Sequence, residues 1–256
     1  MNDQGSTATS SRIRRIIDVN VEASSYQEAT RLICGWAQEG ASRYVCACNV
    51  HMVMEAHDDP DFREVVNGAD LVVPDGMPLV WALKALGLPH ASRVYGPQLM
   101  LEVLEEATRS GIPIGLHGGT PATLDALTRV LESRWPDLRI AYRHSPPFGP
   151  VSYSNETLRG IRESGVRILF VALGCPKQER WMYLHKESLP AVMVGVGAAF
   201  DFIAGRIPQA PSFLQHAGLE WAFRLSKEPK RLWRRYAVHN PRFIGLMARQ
   251  LAGRTR

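Results

Sequence analysis

Short apolar runs that stop at glycine, proline, asparagine or aspartate, each followed by a helical pattern, recur through this chain and constrain its fold more than any other feature. The runs cover 43–48, 71–74, 112–117, 138–143, 166–173 and 191–196, and the helical stretches fall between them. The run 166–173 is almost wholly apolar, the pattern of a strand buried on both faces of a parallel sheet. The alternation predicts a mainly parallel sheet with helices on both faces, an α/β and Rossmann-like architecture. In such sheets ligands bind beyond the carboxyl ends of the strands, so the residues that end each run are the candidates for chemistry.

The most informative end is Val72-Val73-Pro74-Asp75-Gly76. Proline cannot donate to a ladder and glycine permits a tight exit, which puts the Asp75 carboxylate just outside the sheet. A plain Asp-Gly turn is the competing reading. The other ends carry Asn49 after 43–48, Gly118-Gly119-Thr120-Pro121 after 112–117, Gln178 after 166–173 and Asp201 after 191–196. The Gly118–Gly119 turn, with a Thr cap and Pro in the first turn, reads as an anion cradle or as an ordinary strand-to-helix turn. Gln178 stands in a polar cluster that fits either a sugar or phosphate contact or helix capping. Asp201, among small apolar residues, is either a ligand contact or a satisfied structural carboxylate. Asp59 and Asp61 offer an Asp-x-Asp spacing for a divalent cation, but Asp59-Pro60 also reads as a helix cap, the preferred reading.

The first 12 residues are polar and read as a disordered leader, 13–210 as the α/β domain, and 211–256 as a basic helical appendage with helices over 211–225, 229–236 and 241–251. Charge divides along the same boundary. Ten Lys and Arg against one acid lie in 224–256, while the preceding residues carry more acids than bases. Interleaved with Trp221, Trp233 and Tyr236, these cations suit phosphate or an anionic membrane surface. The longest apolar run, 191–200, is far short of the roughly 20 residues that span a bilayer, so membrane contact is peripheral. Cys34, Cys46, Cys48 and Cys175 have neither Cys-x-x-Cys nor zinc spacing and read as reduced thiols.

Taken in order, Asn49-Val50-His51-Met52-Val53-Met54-Glu55-Ala56, Val73-Pro74-Asp75-Gly76, Arg93-Val94-Tyr95-Gly96-Pro97, Gly118-Gly119, Leu173 to Glu179, Gly195 to Phe202, and Leu219-Glu220-Trp221 through Tyr236 resemble the WecG/TagA/CpsF glycosyltransferases, over about 16–243. The resemblance implies inverting, metal-independent transfer, without a cofactor, from a UDP-sugar to an undecaprenyl-diphosphate-linked saccharide at the inner face of the membrane. It implies that Asp75 is the catalytic base, that Asn49 and Gln178 contact the sugar nucleotide, and that Arg224, Arg231 and Arg234 grip diphosphate. Arg93 and the Gly118–Gly119 turn are then phosphate neighbours. Ala47 and Gln98 depart from common family residues, so the donor stays open among glucose, N-acetylmannosamine and a uronic acid. A homo-oligomer is also open.

Two rival classes make different demands. A dinucleotide oxidoreductase needs Gly-x-Gly-x-x-Gly after its first strand, which this chain lacks. A nucleic-acid or nucleotide-binding protein without transferase activity accounts for the basic tail but not for the polar strand ends, so nucleic acid is not an expected partner.

Overall fold

The computed structural model describes residues 12–147, 155–211, 213–214 and 218–254; the side chains of Arg231, Arg235 and Arg254 lie outside that description. Residues 1–11 of the expected leader fall outside it as well.

A small antiparallel hairpin, β1 (Ile13–Ile16) and β2 (Val19–Glu22), comes first. Next is α1 (Tyr26–Glu39), whose Ser25 and Glu28 form a reciprocal capping box. The main sheet is built from β3 (Arg43–Cys48), β4 (Leu71–Pro74), β5 (Ile114–Gly118), β6 (Ile140–His144), β7 (Ile168–Ala172) and β8 (Val192–Gly195). All pairings are parallel and the order is β4-β3-β8-β7-β5-β6. Pro74 is tolerated because β4 is an edge strand. The order turns between β3 and β8: β3 leads outward to β4, whereas β8 is reached from β7 on the other side.

Side-chain alternation sends each strand into two separate cores. Tyr44, Cys46, Leu169 and Val171 face one, while Val45, Ile168 and Phe170 face the other. Burial of each such large side chain contributes about 1.5–3 kcal/mol. The first core is covered by α2 (Val50–Asp58), α3 (Pro60–Asn67), α4 (Met77–Ala85), α7 (Asn155–Glu163) and α8 (Lys177–His185). The second is covered by α1, α5 (Gly96–Arg109), α6 (Pro121–Arg134) and α9 (Ala199–Ile203). The expected two-faced α/β architecture is therefore present, and Cys34, Cys46, Cys48 and Cys175 are free thiols.

The C-terminal region differs from expectation. Its described helices are α10 (Glu220–Lys227) and a single α11 (Pro229–Arg254) of 26 residues that runs through Pro241. Two helices separated before Pro241 were expected, since proline disfavours helix in the residue before it. Tertiary packing overrides that preference here. Phe243 and Met247 are buried in the first core, Arg242 makes a two-pronged pair with Asp58, and Gln250 bonds Ile17 and Arg15 of the hairpin. The end of the appendage thus belongs to the core of the α/β unit. Among the described residues, no helix is long and apolar enough to cross a membrane.

Candidate active site

Asp75 follows the last residue of β4, where its N–H donates to the Cys48 carbonyl (2.8 Å) and its Oδ1 accepts from the Gly96 N–H (2.7 Å). Gly96 opens α5, so a helix N-terminus points at the carboxylate. Arg93 lies on the other side: its Nε donates to the Asp75 carbonyl (2.5 Å) and its guanidinium sits 4.2 Å from the centre of the Tyr95 ring. Its Nη2 pairs with Glu220 of α10 at 2.5 Å. Burial raises the Asp75 pKa above the ordinary carboxylate range; Arg93 opposes the rise, Glu220 adds to it, and the Gly96 N–H and Arg224 oppose it. A carboxylate so placed is a stronger base than a solvated one.

Asp75, Arg93 and Glu220 line a cavity of about 100 Å³ together with Asn49, Arg224 and Tyr236. Asn49 caps α2 by accepting from the Met52 N–H, which fixes its side chain at the end of β3. Arg224 stacks 5.5 Å from the Phe202 ring, and its Nε is buried without a hydrogen-bond partner among the described residues. Beside the cavity lies an apolar groove of about 930 Å³ between α4 and the two C-terminal helices. Val50, Pro78, Trp221, Tyr236 and Asn240 line both spaces. Trp81 and Trp233, 52% and 56% exposed, stand along the groove.

The remaining strand-end residues gather on the other half of the rim, outside the Asp75 cavity. Gly118 approaches β7 so closely that a Cβ would lie 2.4 Å from the Ala172 carbonyl oxygen, and Gly119 donates its N–H to that oxygen. Ser145 donates to the Gly119 carbonyl (2.7 Å). Thr120 caps α6, and Thr123 donates to Asp201 Oδ1 at 2.9 Å. Gln178 Oε1 accepts from the Gly197 N–H (3.1 Å), while its Nε2 donates to the buried Glu179 (2.7 Å). Part of the hydrogen-bonding capacity of this half is therefore spent on holding the turns after β5, β7 and β8.

Among the arginines of the appendage, Arg224 reaches the cavity; Arg234 is exposed, and the Arg231 side chain lies outside the described residues. Asp59 caps α3 and pairs with Arg180 at 2.6 Å, and Asp61 stands in the first turn of the same helix. Gln98 bonds Glu102 on its own helix (2.8 Å), so it points along α5. Residue-type reasoning did not single out Glu220, Tyr236, His51 and His239 as cavity residues. Glu220 and His51 stood within the ordered motifs, whereas His239 is brought in only by the continuity of α11.

A parallel α/β sheet with a recessed carboxylate at a strand end, next to cations and beside an order reversal, has the form and place of a ligand-binding site in such sheets. Residues 14–256 match the family model described as Glycosyl transferase WecG/TagA/CpsF family, and the chain belongs to that family of glycosyltransferases. It is 29% identical over 224 residues to a Bacillus spizizenii protein named N-acetylglucosaminyldiphosphoundecaprenol N-acetyl-beta-D-mannosaminyltransferase, an alignment covering 87% of this chain and 85% of that one.

Proposed function

We propose that the protein transfers a hexose-type sugar from a UDP-sugar, with inversion, to a saccharide carried on a polyprenyl diphosphate, with Asp75 as the base. The observation that carries this reading is the adjacency of two unlike spaces, a small cavity lined in part by the charged Asp75, Arg93 and Arg224 and a long apolar groove that shares lining residues with it. An acceptor with a sugar, a diphosphate and a hydrocarbon chain has the same sequence of chemistries. The name of the Bacillus spizizenii relative, which contains a diphosphoundecaprenol acceptor, supports the same choice.

In this reading the acceptor hydroxyl lies against the Asp75 carboxylate, which takes its proton as the oxygen attacks C1 from the face opposite the leaving diphosphate. The C1–O bond to UDP breaks, and UDP leaves as an anion that needs little protonation. Arg224, whose buried Nε has no hydrogen-bond partner among the described residues, stabilises that charge, and Arg231 and Arg234 are further candidates. Asn49 contacts the transferred sugar. The donor nucleotide extends over the rim at Gly118, Gly119, Gln178 and Asp201; among the described residues Asp201 has only Oδ1 engaged, by Thr123. The exposed tryptophans of the groove and the basic appendage rest on the inner face of the membrane, where the acceptor lies. No metal is required, and the donor sugar is glucose, N-acetylmannosamine or a uronic acid.

The test is UDP release from a panel of UDP-sugars, with and without an undecaprenyl-diphosphate-linked acceptor, in the presence of EDTA. Acceptor-dependent release from one donor is expected. Release that ignores the acceptor, or no release from any donor, would contradict the reading.

A further inference from the structure

His51 and Glu55 stand one turn apart on α2, with His239 of α11 facing them. His51 Nδ1 lies 3.5 Å and His239 Nε2 3.7 Å from the same Glu55 oxygen, and the three ligand atoms all lie within 4.8 Å of one another. The two rings meet edge to face at 5.2 Å. Ligands about 2.0–2.2 Å from a common tetrahedral centre lie roughly 3.3–3.6 Å apart, so a small side-chain adjustment closes this set around an ion. The backbone beneath it is already fixed: one turn further along the same two helices Arg242 grips Asp58 through both nitrogens, and beyond it Phe243 is buried.

We propose that His51, Glu55 and His239 bind one divalent transition-metal ion that clamps the C-terminal helix α11 to α2. Two imidazoles and one carboxylate suit Zn²⁺, Co²⁺ or Ni²⁺, whereas Mg²⁺ and Ca²⁺ prefer all-oxygen shells. Binding requires the imidazoles neutral and the carboxylate ionised. Three protein ligands leave a fourth position for water. His51 and His239 also line the Asp75 cavity, so the ion would stiffen the wall that the appendage contributes to it. The transfer chemistry does not pass through the ion. The Arg242–Asp58 pair and the Gln250 contacts hold α11 without it, so transfer persists in EDTA.

The test is calorimetric titration of the metal-stripped full chain with ZnCl₂ and with MgCl₂, beside Glu55→Gln, His239→Ala and, as a control at an exposed site, His90→Ala. One equivalent of Zn²⁺ is expected at about micromolar affinity or tighter, with no saturable Mg²⁺ binding. Glu55→Gln and His239→Ala should each lose at least about tenfold in Zn²⁺ affinity, while the control matches the parent. Co²⁺ should give visible absorption bands that vanish in the same two variants, and Zn²⁺ should slow amide exchange in 229–254 of the parent. Glu55→Gln is near-isosteric, and an unchanged circular dichroism spectrum separates lost ligation from lost fold. Absence of one-to-one Zn²⁺ binding by the parent, or parental affinity in both ligand variants, would overturn the site. Binding without slowed exchange would overturn the clamp. None of these readouts depends on a donor or acceptor, so the assignment stands or falls apart from the transferase reading.

Discussion

The two halves of the sheet's carboxyl rim carry similar residue types but are put to different use. Beyond β3 and β4, Asp75 has one oxygen held by a backbone N–H, a guanidinium bonded to its own carbonyl, and a cavity in front of it. Beyond β5, β7 and β8, Gln178, Thr123 and Gly119 spend part of their hydrogen-bonding capacity across neighbouring turns. What separates them is the appendage. Glu220 and Arg224 of α10 and Tyr236 of α11 wall in the first half, removing water from a carboxylate that the sheet alone would leave solvated. In the proposed reading, this covering is what makes a strand-end carboxylate a base.

That contrast has consequences of graded size. Asp75→Asn should lower the transfer rate by about 10²–10⁴-fold. Its folded-state pKa is raised, so Asp75 costs stability as pH rises above 3.8 and a neutral Asn relieves that cost; the variant should melt at or above the parent temperature at neutral pH. By the same sign the acid limb of the parent's rate profile should lie above pH 3.8, the ordinary value for this group. A large fall in melting temperature would show that the Asp75 carboxylate serves the fold rather than the chemistry.

Arg93→Ala should cost about 1–3 kcal/mol in denaturant unfolding, because it leaves Glu220 and the Asp75 carbonyl without their donor. Adding Glu220→Ala should restore part of this, a coupling of about 0.5–3 kcal/mol. Full additivity would break the link between appendage and strand end.

On the other half of the rim, Asp201→Asn should raise KM for the donor by about tenfold, the value of one lost hydrogen bond, with kcat changed far less. An effect on kcat as large as that of Asp75→Asn would erase the distinction between the two halves.

A last effect, seen only on acidification, concerns His117, buried in a stack with His144 and Trp181 and its pKa pushed down to about 3, chiefly by burial. Its neutral form is favoured in the fold, so stability should be fully present above pH 6.5 and decline as pH falls toward 3. His117→Phe should flatten that decline in urea titrations at successive pH values.

Much of the scaffold was legible because strand ends and caps are local. The apolar runs, the Ser25 box and the Asp59-Pro60 cap depend on residues within a few positions of one another. The position of Asp75 was readable for the same reason. The covering of the site was not, since Glu220 meets Arg93 across 127 positions and the unbroken α11 depends on distant packing at Asp58 and the hairpin. Gly118 illustrates the middle ground: the sequence marks a special backbone, but only the fold shows that the close neighbour is Ala172.

The central claim is that Asp75 performs the proton transfer while the donor is held elsewhere along the rim. It is tested most directly by titrating UDP-sugar into Asp75→Asn and measuring transfer with the same preparation. The account predicts donor affinity within about threefold of the parent with transfer all but lost. Parental transfer by the variant, or loss of donor binding in proportion to loss of rate, would contradict it.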